Sequence, residues 1–403
     1  MVQVAVFGYG TVGSGVVEVL ETNQEEIGRR AGDGIRVKYV LDIRDFQGDP
    51  IQERIVHDVD VILADPEIKV ICETMGGIEP AYTFTKKALM SGKSVCTSNK
   101  ELVAAHGAEL MRIAGEHQCS YLFEASVGGG IPIIRTMNDA LTAEKIDRIE
   151  GILNGTTNYI LTKMERDGAA FDIILKEAQE LGYAERNPAA DVEGHDACRK
   201  IAILSSILYG HNVDYKQIYT EGITKIMPRD FAYAKALDCK IKLIGLSVIT
   251  KEGEFAMVSP RLVPSYSPIA SVNDVFNGIQ IHSNMLDTSL YYGRGAGKLP
   301  TASAVVGDVV ECVKKLGTSI PAAWDETEKK LTEIGAFRQR YLVRMKGKPE
   351  ALMQKMEDAF GKVQAVQIPE AADEFAVLTE EMSEREYQDA AEEFTEIISM
   401  IRS

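Results

Sequence analysis

The chain has 403 residues, 45% hydrophobic and 26% charged, and its 60 acidic against 44 basic residues leave a formal net charge of -16. The length exceeds what one ordinary core organises, so two or three domains are expected. The acidic field repels nucleic acid and anionic membrane surfaces, and the sequence shows no basic patch to override it. No apolar run reaches the roughly 18 residues that span a bilayer, and "MVQVAVFGYG" lacks the parts of a signal peptide. Six scattered cysteines without CxxC spacing point to a reduced, cytoplasmic protein with structural thiols, and six dispersed histidines argue against a zinc site.

Val2 to Phe7 is a short apolar strand, and in the following "GYGTVGSGVVEVLETN" the residues Val12, Val16, Val19 and Leu20 recur at helical spacing. Further strands are expected at Ile35–Leu41, ending at Glu73, ending near Thr97, and at Ser120–Phe123. Helices over about Tyr82–Met90 and Leu102–Glu116 separate them. Such alternation predicts an α/β fold with a Rossmann-type, doubly wound parallel sheet over residues 1–133. From Pro132 the pattern changes to longer helices mixed with strand-like runs, "KIDRIEGILNG" and "CKIKLIGLSVI", which predicts an α+β domain over 134–294. The glycine-rich loop and helix of "GRGAGKLPTASAVVGDVVECVKKLG" are expected to complete the first domain over 295–320. The tail, 335–403, reads as strand "RYLVRMKG", helix "PEALMQKMEDAFG", strands "KVQAVQI" and "EFAVLTEE", and a last helix "SEREYQDAAEEFTEIISMIR". This βαββα unit has the size of a regulatory or docking module.

In "GYGTVG" the glycines fall at 8, 10 and 13, between strand and helix. Gly8 permits the tight turn, Gly10 lets a pyrophosphate approach the backbone, and Gly13 permits close helix packing, which together specify dinucleotide binding. The next strand ends in "LDIRD": Asp42 suits the ribose hydroxyls of NAD, Arg44 the extra phosphate of NADP, and the sequence does not choose. "ETMGG" (73–77) and "TSNK" (97–100) end strands where open α/β sheets bind ligands, and Lys100 would face that crevice. In "AERNPAADVEGHDACRKIAIL", Asp196 and Lys200 lie one helical turn apart and continue into the apolar stripe Ile203, Leu204, Ile207. They sit at the edge of a buried face, with Arg199 and Glu193 toward solvent. Alone, such a pair is more often a structural ion pair than a site.

The blocks "FGYGTVGSGV", "ETMGGIEPA", "TSNKELVA", "EASVGGGIPII", "GILNGTTNYIL", "AQELGYAERNPAADVEGHDACRKIAIL" and "GRGAGKLPTASAVVGDV", in this order over residues 1 to about 320, resemble the homoserine dehydrogenase family. The resemblance implies NAD(P)-dependent interconversion of L-homoserine and L-aspartate 4-semialdehyde, with 134–294 as the catalytic and dimerisation domain of a homodimer or homotetramer. It implies Lys100 and Lys200 as catalytic, Glu185, Asp196 and Asp191 as substrate-binding, and a cofactor site of Gly8, Gly10, Thr11, Val12, Gly13, Arg44, Thr74, Gly76, Thr97, Lys100, Gly182 and Gly297. It further implies a monovalent cation site, usually sodium, at Glu124 and the carbonyls of Val127, Gly129 and Ile131. The tail resembles a truncated ACT module, but Glu350 follows Pro349 where such modules carry glycine, which argues against threonine feedback.

Three other readings compete. Another NAD(P)-dependent amino-acid dehydrogenase would share the cofactor turn. A phosphorylating semialdehyde dehydrogenase needs a cysteine with a motif-placed histidine, which Cys72, Cys96 and Cys119 lack. A non-catalytic sensor predicts loss of the lysines, and both are present.

Overall fold

A computed structural model describes residues 1–369 and 371–403. The chain forms two compact units, Met1–Ala143 with Ala202–Tyr215 and Gly293–Lys329, and Glu144–Ile201 with Lys216–Tyr292 and Lys330–Ser403. Among the described residues no helix is long and apolar enough to cross a membrane.

The first unit is built on strands β1 (Val2–Phe7), β2 (Ile35–Leu41), β3 (Ile55–Val56), β4 (Ile68–Glu73), β5 (Ser94–Thr97) and β6 (Tyr121–Leu122). Their order is β3-β2-β1-β4-β5-β6 and every pair is parallel. Because both faces are covered, the strands read as continuous apolar runs: Val4 to Phe7 and Val70 to Cys72 are inaccessible to solvent. Chain order reverses between β1 and β4, so the carboxyl ends of these strands open onto the crevice where such sheets take ligands. The helix Thr11–Thr22 meets the helix Lys298–Lys314 at Gly15, where an added Cβ would lie 2.8 Å from the Lys298 carbonyl oxygen and 3.0 Å from Ala302 Cβ. Ala302, Val305, Val306 and Val309 thereby join Val4, Val6 and Val16 in one core.

The second unit contains β7 (Ile146–Ile152), β8 (Cys239–Ile249), β9 (Glu254–Pro264), β10 (Phe276–Ser283) and β11 (Asp287–Arg294), ordered β11-β10-β7-β8-β9. The long hairpin β8–β9 runs in unbroken register from Cys239 opposite Pro264 to Ile249 opposite Glu254. The tail adds β12 (Tyr341–Lys346), β13 (Val363–Val366), β14 (Glu374–Thr379) and β15 (Ile397–Arg402) to the same sheet in the order β15-β12-β14-β13. Each of these strands is antiparallel to its neighbour, and the chain also forms helices Pro349–Phe360 and Glu384–Ala391 between them.

That tail corrects the sequence reading. The last helix starts at a capping box, Ser383 with Glu386, but stops at Ala391. Residues 397–402, expected to continue it, form β15, so the module is βαββαβ, a split-βαβ unit. "IISMIR" is short and rich in β-branched residues, and two strand edges receive it: β12 on one side and β9 on the other, where Arg402 pairs with Arg261. Buried charge secures the seam. Arg402 donates to Glu384 through Nε at 3.0 Å and Nη2 at 2.6 Å, to Glu221 at 2.5 Å and to the Tyr219 hydroxyl at 3.0 Å.

Candidate active site

The glycine turn after β1 is formed as its spacing requires. Gly8 has φ +88°, and a Cβ on Gly13 would stand 1.9 Å from the Gly8 carbonyl oxygen. At Gly10 an added Cβ would meet nothing within 4 Å, so the backbone of "GYGTVG" is open to a bound group on that side. Thr11, Val12 and Gly13 form the first turn of the helix Thr11–Thr22, where the leading amides of a helix have no partner within it and suit an anionic group. Thr74, expected to border a cofactor, braces the turn: its Oγ1 lies 2.9 Å from the carbonyl oxygens of both Phe7 and Gly8. Gly76 follows it with open space at its own Cβ position.

At the end of β2, Asp42 and Arg44 interact directly. The Asp42 carboxylate accepts from the amides of Tyr9 (2.8 Å) and Arg44 (2.9 Å) and from Arg44 Nε and Nη2 (2.9 Å each). Arg44's hydrogen bonds hold the buried Asp42 carboxyl well below the usual carboxylate range. Four donors fill the four acceptor positions of a carboxylate. The Arg44 side chain, 57% exposed, lies 5.1 Å over the Phe46 ring and presents its positive charge outward.

Glu73 closes β4 with no solvent exposure. Its carboxyl group accepts from Thr97 Oγ1 at 2.5 Å and from the Met75 amide at 2.8 Å, and burial pushes its pKa up to about 7 against both bonds. Asn99 caps the helix Lys100–Glu116 by accepting from the Leu102 amide and ties the two strand ends together by donating to the Gly77 carbonyl at 2.6 Å. Lys100 is thus the first helical residue, placed by a cap rather than by the strand. Glu73 and Asn99 were not singled out from sequence, although "ETMGG" and "TSNK" contain them.

Glu124 is buried and accepts the amides of Ile134 and Arg135, each at 2.8 Å, while its own amide donates to Asp308. Burial raises the Glu124 pKa and, with the Glu124 charge, pushes Asp308 up to about 7 despite the Arg135 guanidinium 2.7 Å from Asp308. In the adjoining loop Gly128 and Gly129 have φ +72° and +56°, and Ile131 O accepts from Ile133 N. The carbonyls of Val127 and Gly129 accept no hydrogen bond among the described residues. On the same unit a Cβ at Gly129 would lie 2.6 Å from the backbone of Gly295, and Gly297 (φ +122°) precedes the helix Lys298–Lys314.

The second unit gathers the charged cluster. Lys200 Nζ donates to Leu153 O and Asp196 Oδ2, both at 2.8 Å, and lysine and aspartate are buried. Asn154, at the turn between β7 and the helix Gly155–Asp167, donates from Nδ2 to Asp191 Oδ1 at 2.7 Å and to Asp196 Oδ2 at 2.8 Å. Lys200, Asp196 and Asp191 therefore come together, through an asparagine that the sequence reading passed over within "GILNGTTN". Arg199 is half-buried and Glu193 exposed. Glu185 is exposed, and its backbone carbonyl accepts from Gln179 Nε2 at 3.0 Å. Gly182 (φ +76°) belongs to this unit too, at the turn that ends the helix Phe171–Glu180.

A dinucleotide turn with a buried lysine–carboxylate cluster defines an NAD(P)-dependent oxidoreductase that handles a small polar substrate. Residues 8–124 match the family model described as homoserine dehydrogenase, NAD binding domain, and residues 132–310 the one described as homoserine dehydrogenase. The chain is 44% identical over 321 residues to the homoserine dehydrogenase of Pseudomonas aeruginosa, covering 79% of this chain and 74% of that one. Its structure is similar to the crystal structure of a homoserine dehydrogenase from Thiobacillus denitrificans, with TM-score 0.92, 35% identity, and 100% and 97% of the two chains covered. It is also similar to a hyperthermophilic archaeal homoserine dehydrogenase in complex with NADPH, with TM-score 0.66, 27% identity, and 78% and 98% coverage. The chain belongs to the homoserine dehydrogenase family.

Proposed function

We propose that the chain interconverts L-homoserine and L-aspartate 4-semialdehyde, the branch step toward threonine, methionine and isoleucine, and that it prefers NADP(H) to NAD(H). The observation that carries the reaction is the buried Asn154–Asp196–Lys200 cluster in a chain that also has an open dinucleotide turn. The turn residues Gly8, Gly10, Thr11, Val12 and Gly13 would hold the pyrophosphate, with Thr74, Gly76 and Thr97 at the neighbouring strand ends. When bound, the nicotinamide supplies or accepts the hydride at the substrate's carbonyl carbon. Saturation of Asp42 leaves little for ribose hydroxyls, and exposed Arg44 offers a 2′-phosphate a guanidinium, which supports NADP(H).

Lys200 is assigned the proton. In the reductive direction its ammonium gives a proton to the developing alkoxide, the resulting amine regains one from solvent, and the oxidative direction reverses both transfers. Two of its N–H groups are held by Leu153 and Asp196, which fixes the direction of the third. Asp196 and Asp191 orient the lysine and bind substrate, Glu185 grips the substrate ammonium from its exposed turn, and Lys100 adds positive charge that stabilises the oxyanion. Gly182 and Gly297 are assigned to the cofactor border. Sodium is assigned to the carbonyls of Val127 and Gly129, with Ile131 and Glu124 contributing the lone pairs their own hydrogen bonds leave over; such hard oxygens suit it. We assign the tail's βαββαβ unit to an ACT-like module, homodimeric or homotetrameric assembly to the second unit, where Met285, Leu286 and Tyr292 are exposed, and a cytoplasmic location from six free cysteines.

The test is NADPH oxidation driven by aspartate 4-semialdehyde, compared between wild type and Lys200→Ala. Turnover in the wild type and its loss in the variant, with NADPH binding retained, are expected. Ammonia-dependent turnover of an oxo acid, or an active variant, would overturn the reading.

A further inference from the structure

We infer that Asn154 is a positioning residue for the proton donor, an inference that rests on the assignment of Lys200. Its amide is fully committed. Oδ1 accepts from the Thr157 amide at 2.8 Å and lies 3.0 Å from Thr157 Oγ1, which caps the helix Gly155–Asp167. Nδ2 spends its two hydrogens on Asp191 and Asp196. This arrangement fixes which way the amide points, because a flipped group would face its oxygen toward two carboxylates and its NH2 toward a backbone N–H.

The same turn orients Lys200 twice. Leu153 offers its carbonyl to Nζ, and Asn154, the next residue, holds the Asp196 oxygen to which Nζ also donates. The ammonium thus meets Asp196 on its own helix and the Leu153 carbonyl on the turn after β7, and the Asn154 amide bridges Asp196 to Asp191. On the β8 side the neighbour is Gly245, where a Cβ would meet Leu153 Cδ1 at 2.9 Å and Ile201 Cβ at 3.2 Å. The Leu153 and Ile201 side chains thus pack directly on the bare backbone of Gly245, which ties the turn and the helix carrying Lys200 to β8.

A neutral double donor suits two adjacent carboxylates, one of which already engages the lysine. A cation at 154 would compete with Lys200 for Asp196, and a carboxylate would add a third negative charge and hold the lysine's proton more tightly. Asparagine at this place thus serves the cap with one atom and the proton donor with the other.

Asn154→Asp separates the two roles, since aspartate caps a helix as well as asparagine but has no N–H groups. Expected are NADPH binding close to wild type, a lowered unfolding temperature because an oxygen now faces two carboxylates, kcat per folded enzyme lower by about 100-fold, and an alkaline limb of the reductive kcat profile displaced upward. Asn154→Ser, which keeps a cap and a single donor, should fall between wild type and Asn154→Asp in kcat. Should Asn154→Asp fail to fold, Asn154→Ser decides alone: reduced kcat at unchanged unfolding temperature supports positioning, and wild-type kcat refutes it. Activity lost only in proportion to lost folded protein, with an unmoved pH profile, also refutes it. Lys200→Ala, assayed alongside, keeps the two claims apart. If Lys200→Ala is inactive while Asn154→Asp behaves as wild type, the positioning role falls alone; if Lys200→Ala turns over, the assignment beneath it falls.

Discussion

Replacement of Arg44 by alanine tests the cofactor reading most directly. In the free protein Arg44 makes three hydrogen bonds to Asp42, one from its backbone and two from its guanidinium, and Tyr9 N supplies the fourth. Arg44→Ala removes the two guanidinium bonds and leaves the two amides in place, so half of the Asp42 acceptor capacity opens. Removal of a charge-assisted contact with the 2′-phosphate should lower kcat/KM with NADP(H) by roughly 10- to 150-fold. Because the Arg44 side chain is 57% exposed, salt screening places the expected loss near the lower end. The freed carboxylate can now take a ribose hydroxyl, a neutral-to-charged bond of about 1.5 kcal/mol, so kcat/KM with NAD(H) should rise by about tenfold. The assay is steady-state homoserine oxidation with each cofactor at low and high ionic strength. An unchanged NADP/NAD ratio in Arg44→Ala, or a wild-type enzyme that favours NAD, would refute the argument from Asp42 saturation.

Other substitutions probe the rest of the frame. Gly13→Ala, whose Cβ would stand 1.9 Å from the Gly8 carbonyl, should abolish dinucleotide binding by calorimetry while the second unit stays folded by circular dichroism. Glu73 has a folded pKa of about 7 against 4.5 unfolded. Between those values the folded chain binds more protons than the unfolded one, so its contribution makes stability fall as pH rises from about 4.5 to 7, by on the order of 3 kcal/mol. Glu73→Gln should flatten that slope in urea unfolding of the cofactor-free enzyme, and an identical slope would show the carboxyl group to titrate normally. Arg402→Met takes the guanidinium from Glu384, buried with 1% side-chain exposure, and leaves it only the neutral donors Gln339 and Tyr341 beside weakly placed Gln388, which should cost about 3 kcal/mol in unfolding free energy. A loss under about 1 kcal/mol would mean the seam is held by strand pairing alone.

Most of the parallel sheet could be read from the sequence, because its strands are buried on both faces and punctuated by glycine turns and helices of clear period. The two-residue strand β3 could not: Ile55 and Val56 carry no pattern of their own and pair only because β2 presents an open edge. The end of the tail failed for a related reason. "TEIISMIR" follows a well-capped helix, and only the presence of β12 and β9 as neighbours turns it into a strand. Secondary structure that depends on distant edges is invisible to local periodicity.

The site divides along the same line. Asp196 and Lys200 were legible because four residues on a helix fix a shared face, and the face predicted for them is the one that buries them. The partners that give the pair its direction lie more than forty positions earlier, at Leu153 and Asn154. From sequence, Asn154 followed by Gly155 looks like a turn and a helix cap, and it is both. Its second function arises only because the turn after β7 is brought against the helix carrying Lys200. Glu73 behaves likewise: at the end of an apolar strand it reads as the first polar residue, whereas the neighbouring β5 supplies Thr97 and surrounds it. Residues that act through one partner at helical spacing can be assigned from a single chain. Residues that join two elements, such as Asn154 and Glu73, need the fold, and they are where substitutions should affect activity and pH dependence more than stability alone.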